Sequence, residues 1–139
     1  MQKKLTTLAL SFPLVFAAQS TLAKDNGWYE AAYSADGKET YSMKFGSGER
    51  TQNKQGEAMT MVVGKQYNKK TNKIVLQKWY VTDTDCAQEY GNLVVLTIDG
   101  KYLYDAPFAI GSETISSFIA KTICLVTANE QEKANGKGT

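Results

Sequence analysis

The chain has 139 residues, 22% of them charged, a formal charge of +2 and no histidine. That length suits one domain with one core. The absence of histidine removes the commonest general base and the commonest metal ligand together, which excludes histidine-based triads and zinc sites.

The amino terminus reads as a leader. Lys3 and Lys4 precede an apolar and small-residue stretch over residues 5–18, and Thr21-Leu22-Ala23 then places small residues where a signal peptidase cuts. The apolar run is shorter than the roughly 20 residues a helix needs to cross a bilayer, so a cleavable signal peptide over residues 1–23 is expected rather than an anchor. No cysteine lies near residue 23 to carry a lipid, and the expected product is exported to the periplasm or beyond without a lipid anchor. Lys3 and Lys4 leave with the leader, so 14 basic residues face 14 acidic ones. A formally neutral chain has no overall field to draw nucleic acid or an anionic membrane.

Residues 24–128 alternate apolar and polar side chains between turn residues, the pattern of strands. Six are expected, at 28–33, 41–45, 59–67, 74–81, 93–98 and 102–104. Tyr41, Met43 and Phe45 share one face of their strand, as do Met59, Met61 and Val63 of theirs. Asp99-Gly100 suits a tight two-residue turn between the last two strands. Short links imply antiparallel neighbours. After Gly111 the period becomes helical, with Ser112 positioned to cap the helix and Glu113 in its first turn. Ile115, Phe118, Ile119, Ile123 and Val126 then fall on one face, expected to lie on the sheet, with Ser117, Ala120, Lys121 and Cys124 on the other side or its edge. Residues 129–139 are polar without periodicity and read as a disordered tail.

The only cysteines, Cys86 and Cys124, lie in the exported part, and a disulfide between them is expected. Closing that loop is worth roughly 3–4 kcal/mol in the chain-entropy model. There is no Cys-x-x-Cys spacing of a redox pair. The fold class is therefore α+β, mainly β: an antiparallel sheet of about six strands with one C-terminal helix packed on it and tethered by the disulfide.

The segment Tyr80-Val81-Thr82-Asp83-Thr84-Asp85-Cys86-Ala87, a following hairpin, and residues 111–124 with Ile123 directly before the second cysteine resemble the bacterial surface-adhesin protein E family. The resemblance covers roughly residues 75–126. It implies a six-stranded antiparallel sheet with a disulfide-tethered helix, and a function in binding host matrix proteins. Of the family's functional positions only Cys86 and Cys124 carry over.

No catalytic residue, metal ligand or cofactor is expected. Gly46-Ser47-Gly48 fails the Gly-x-Ser-x-Gly pattern of a nucleophile turn and reads as a turn between strands. Asp83, Asp85 and Glu89 supply oxygens of the kind calcium takes, but the glycine and terminal glutamate of an EF-hand loop are missing. Carboxylate pairs of the glycosidase type remain open to 14 acids, yet so small a domain rarely encloses their cleft. The feature left is the hairpin over residues 64–80, where Lys65, Lys69, Lys70, Lys73 and Lys78 gather near Tyr67, Trp79 and Tyr80. These residues are a candidate contact for an acidic partner; lysines also protect strand edges from unwanted pairing. Tyr29, Tyr33, Tyr41, Tyr102 and Tyr104 could likewise form a binding face or simply pack. Three functions fit: a secreted binding protein of the adhesin type with a host matrix partner, a periplasmic immunity or inhibitor protein against a toxin or wall hydrolase, and a structural envelope component. An edge strand could also pair with its twin in a homodimer.

Overall fold

The computed structural model describes residues 27–137. The expected leader, residues 1–23, and the last two residues lie outside the described residues. Within them, β1 (Trp28–Tyr33), β2 (Glu39–Lys44), β3 (Glu49–Gln52), β4 (Ala58–Asn68), β5 (Lys73–Thr82), β6 (Tyr90–Thr97) and β7 (Tyr102–Ala109) form one antiparallel sheet. A short helix, α1 (Asp83–Gln88), joins β5 to β6, and the long α2 (Ile115–Lys137) follows β7. The strand order is β1-β2-β4-β5-β6-β7, with β3 also beside β4. The α+β, mainly β architecture is the one expected, with one strand and one short helix more.

That extra strand exists because β4 is 11 residues long and serves two neighbours along one edge. Its residues 64–68 pair with β2 and its residues 58–61 with β3. Between the two the chain bends through Gly46, at φ +76°, and one ladder amide loses its strand partner. The Ser47 hydroxyl takes its place: Oγ accepts from the Val63 amide at 3.0 Å and donates to the Lys44 carbonyl at 2.8 Å. The serine flanked by glycines is thus a patch in the hydrogen-bond ladder. β3 has four exposed residues and no alternating apolar face, which is why its sequence does not announce it. The β6–β7 link is also a residue longer than expected, since Thr97 and Lys101 pair around residues 98–100, with Gly100 at φ +98°.

Pairing assigns the two faces. Toward α2 point Met43 of β2, Val62 of β4, Trp79 and Val81 of β5, Leu93 and Val95 of β6 and Phe108 of β7, all buried. Gly64 sits opposite Gln77 and beside Trp79, and a Cβ there would come within 2.4 Å of the indole. The missing side chain is the space the ring occupies. Trp79 is 1% exposed, and its Nε1 donates to the Gln77 carboxamide oxygen at 2.9 Å.

Helix α2 departs from expectation in three ways. It starts at Ile115 with Thr114 as its cap, whose Oγ1 accepts from the Ser117 amide at 3.1 Å; Ser112 lies in the preceding turn, and Glu113 is outside the first turn. Its inner face is rotated. Ser117, Ile119, Ala120, Ile123 and Thr127 are buried, while Phe118 is 40% exposed. Small side chains let the helix approach the sheet, and the buried Ser117 is satisfied because its Oγ accepts from the Ala109 amide at 3.1 Å. Third, the helix continues through the segment expected to be a disordered tail. Glu130, Gln131, Glu132, Lys133 and Ala134 are strong helix formers, and Gln131 reaches Asp83 at 3.3 Å.

Cys86 and Cys124 are bonded, with Cα atoms 5.4 Å apart, and they join α1 to the middle of α2. Helix α1 is capped by Thr82, which accepts from the Asp85 amide, and ends at Glu89 in the left-handed conformation, φ 69°. Gly91 follows where any Cβ would collide with Asp85, whose carboxylate accepts from the Asn92 amide at 3.0 Å.

Replacing Gly64 with alanine forces a methyl into the Trp79 ring. The expected loss of stability is about 3 kcal/mol, at the upper end for overpacking, read as a lower urea midpoint with unchanged slope.

Candidate functional site on the uncovered sheet face

Among the described residues one long helix covers one face, and the other side of the sheet is left to its own side chains. Met59, Met61, Val63, Lys65 and Tyr67 of β4 stand opposite Thr82, Tyr80, Lys78, Leu76 and Ile74 of β5 on that face. Val94 and Leu96 of β6 continue the row past Tyr80 and Lys78. Ile74, at 56%, and Leu76, at 44%, are well exposed for aliphatic residues. The middle of this face is an apolar strip.

At its β7 side the strip deepens into a trough of about 540 Å³ lined by Met59, Met61, Tyr80, Val94, Leu96 and Tyr102, with the turn at residues 52–55 as one wall. Met59 is only 3% exposed. Burial pushes the Tyr80 hydroxyl above the ordinary tyrosine range, and the nearby Asp105 and Glu57 carboxylates push it further, so it stays protonated and donor-competent at any physiological pH.

At its β1 side the face becomes basic and aromatic. The Trp28 ring has the Lys65 Nζ 4.4 Å from its centroid and the Lys44 Nζ at 5.8 Å. A smaller hollow of about 260 Å³ beside it is lined by Trp28, Glu30, Thr40, Ser42, Lys65, Tyr67, Lys69 and Ile74. Thr40 and Ser42 are buried at its floor.

Of the candidate contact residues, Lys65, Tyr67 and Lys69 meet in this hollow, and Lys78 stands in the neighbouring strand on the same face. Lys70 is in the exposed hairpin turn. Lys73 has the parity of Trp79 on β5 and so belongs to the opposite side. Trp79 does not reach this face: the void at Gly64 and the Gln77 acceptor draw its indole into the core beneath α2. The aromatic partner of the lysines is instead Trp28, with Lys44 as a further cation. Neither is near the hairpin in sequence; only the pairing of β1 with β2 and of β2 with β4 brings them to it. The tyrosines do not make one face. Tyr29 and Tyr104 lie on the side of α2, Tyr102 on the uncovered side, and Tyr41, half-buried, donates to Glu39 at 2.8 Å.

The carboxylates of residues 83, 85 and 89 are separated. Asp83 takes both terminal nitrogens of Arg50, at 2.6 and 2.7 Å, while Asp85 is engaged by the Asn92 amide. Among the described residues no group of three or more metal-ligating side chains converges, and no helix is long and apolar enough to cross a membrane. Arg50 also donates to Thr60 at 3.1 Å. The Thr60 and Thr127 hydroxyls are 2.7 Å apart, and Thr127 reaches the Ile123 carbonyl at 3.1 Å. A hydroxyl has one proton to give, so every bond is made if the chain of donors runs Arg50, Thr60, Thr127, Ile123. It ties β3 and β4 to α2 from inside.

Hydrogen bonding from Arg50 holds the Asp83 carboxyl below its usual range, against a smaller opposing effect of burial. A depressed folded pKa gives stability that is complete above the unfolded value near 4 and is lost as pH falls through the folded one. The pair is partly exposed and screened, so Asp83→Asn is expected to cost only about 0.5–1 kcal/mol at neutral pH. The difference from the parent should shrink in urea titrations as pH falls through the folded pKa of Asp83.

No family model matches the chain, and no curated protein or solved structure matches it either.

Proposed function

We propose that this is an exported, non-enzymatic binding protein of the bacterial envelope, whose contact surface is the uncovered sheet face. The observation that carries the reading is the apolar strip along Met61, Val63, Leu76, Val94 and Leu96, partly exposed, with Lys78 set between Val63 and Leu96 and with Trp28, Lys44 and Lys65 along one side. Contiguous apolar surface with a polar rim is the anatomy of a protein contact. A matching partner presents apolar side chains beside an acidic margin. Lysines at the rim steer and select such a partner, and the strip supplies the desolvation.

The leader and the disulfide support export. The resemblance over residues 75–126 to the surface-adhesin protein E family supports a host matrix protein as the partner, and the first experiment is directed there. Retention on immobilised extracellular matrix is measured for the parent and for the triple variant Lys44→Glu, Lys65→Glu and Lys78→Glu, with thermal unfolding as the control for folding. Retention by the variant is expected to fall at least about tenfold, with the parent sensitive to salt. Equal retention by the two proteins overturns the surface. A parent dimer that the triple variant abolishes overturns the reading in another way, by giving the face to a second copy. Binding to an envelope toxin or wall hydrolase, with none to matrix, would make the protein an inhibitor acting through the same face.

A further inference from the structure

On the other side of the sheet, α2 covers only part of the strands, and a cavity of about 290 Å³ opens between its first turns and the far ends of β2, β5, β6 and β7. Tyr41 and Tyr104 line it together with Trp79, Val95 and Ile119, and Gln77 is among its lining residues. Among the described residues no charged side chain lines it. Gln77 is 7% exposed. Its carboxamide orientation follows from chemistry, because the Trp79 Nε1–H can only donate and therefore holds the Gln77 Oε1. The Nε2 group is left with two N–H donors that have no acceptor among the described residues. A buried donor without an acceptor is costly, and folds rarely keep one without a use.

We infer that this cavity is a binding site for a small, neutral, flat apolar molecule carrying one carbonyl-type acceptor. The acceptor would take the Gln77 Nε2–H, and the flat body would lie against Trp79, Val95 and Ile119 between the two tyrosine rings. The absence of a charged lining residue disfavours an ionic ligand, since nothing offsets its desolvation. The volume is at the lower limit of the roughly 300–1,000 Å³ typical of small-molecule sites, which restricts the ligand to about one or two rings. The site lies across the sheet from the proposed contact surface and does not depend on it.

Acetophenone, a ring with one carbonyl, and ethylbenzene, its counterpart without the acceptor, test the inference on the oxidised, ¹⁵N-labelled protein. The expected result is a saturable shift of the Gln77 side-chain amide and the Trp79 indole N–H with acetophenone, and binding about tenfold weaker with ethylbenzene. Gln77→Leu should erase the difference between the two probes. Ala106→Phe, which narrows the cavity from the β7 strand, should abolish both and serves if the leucine variant folds poorly. Equal affinity of the wild type for the two probes, shifts confined to residues outside this cavity, or no saturable shift at millimolar probe would each overturn the site.

Discussion

The contact between Trp79 and Gly64 decides which side of the sheet is inside. A glycine in the long central strand leaves a gap one side chain wide, and the indole fills it from the neighbouring strand, with its N–H satisfied by Gln77. Because side chains alternate along a strand, fixing Trp79 beneath α2 also fixes Lys78 and Tyr80 on the opposite face. Strand pairing then carries that choice outward: Val62, Leu93 and Val95 go in, and Met61, Val63, Val94 and Leu96 go out. Both candidate sites follow from this alternation.

Two kinds of tether hold the helix over the chosen face. The disulfide ties its middle to α1, and the donor chain from Arg50 through Thr60 and Thr127 ties it to the sheet three residues further on. Asp83, the first residue of α1, accepts from both Arg50 and Gln131, so α1 is the shared anchor of both. The chain-entropy estimate of roughly 3–4 kcal/mol for the covalent link exceeds any one of these hydrogen bonds. The polar contacts contribute direction rather than strength. They hold a helix with Ser117 and Thr127 on its inner face, an arrangement that needs a partner for each hydroxyl.

Among the described residues β1, β3 and β7 each have one strand neighbour, and β1 and β7 carry register irregularities, between Glu30 and Ala32 and opposite Val95–Leu96. Such bulges, with Pro107 in β7, make poor templates for strand addition. The face is a different matter. Its apolar centre and basic margin are presented by the broad side of the strands, where side chains rather than backbone make the contact. The cavity beside Gln77 is of another kind again, smaller and without a charged lining side chain among the described residues, and suits a small molecule better than a protein.

Six of the seven strands, the long helix and the disulfide were legible in residues 28–126, because alternation, helical period and a single pair of cysteines are local or compositional signals. Strand β3 was not, since four exposed polar residues have no pattern; it exists because β4 has free length beside it. The end of α2 was missed because a polar surface helix resembles a polar tail until Gln131 finds Asp83. Lysines with Tyr67 and Trp79 on the β4–β5 hairpin were visible as a candidate site; Tyr67 meets Lys65 and Lys69 on the uncovered face, while Trp79 is buried on the other. Trp79 and Trp28 are indistinguishable by type; Gly64, across the ladder, takes one into the core, and strand pairing sets the other between Lys44 and Lys65. The sequence by itself determined six of the strands, the long helix and that the cysteines join, because those depend on patterning along the chain or on composition. Only the tertiary structure decided which face is covered and which residues meet on the other, because that depends on register between strands, and a shift of one residue would exchange the two faces.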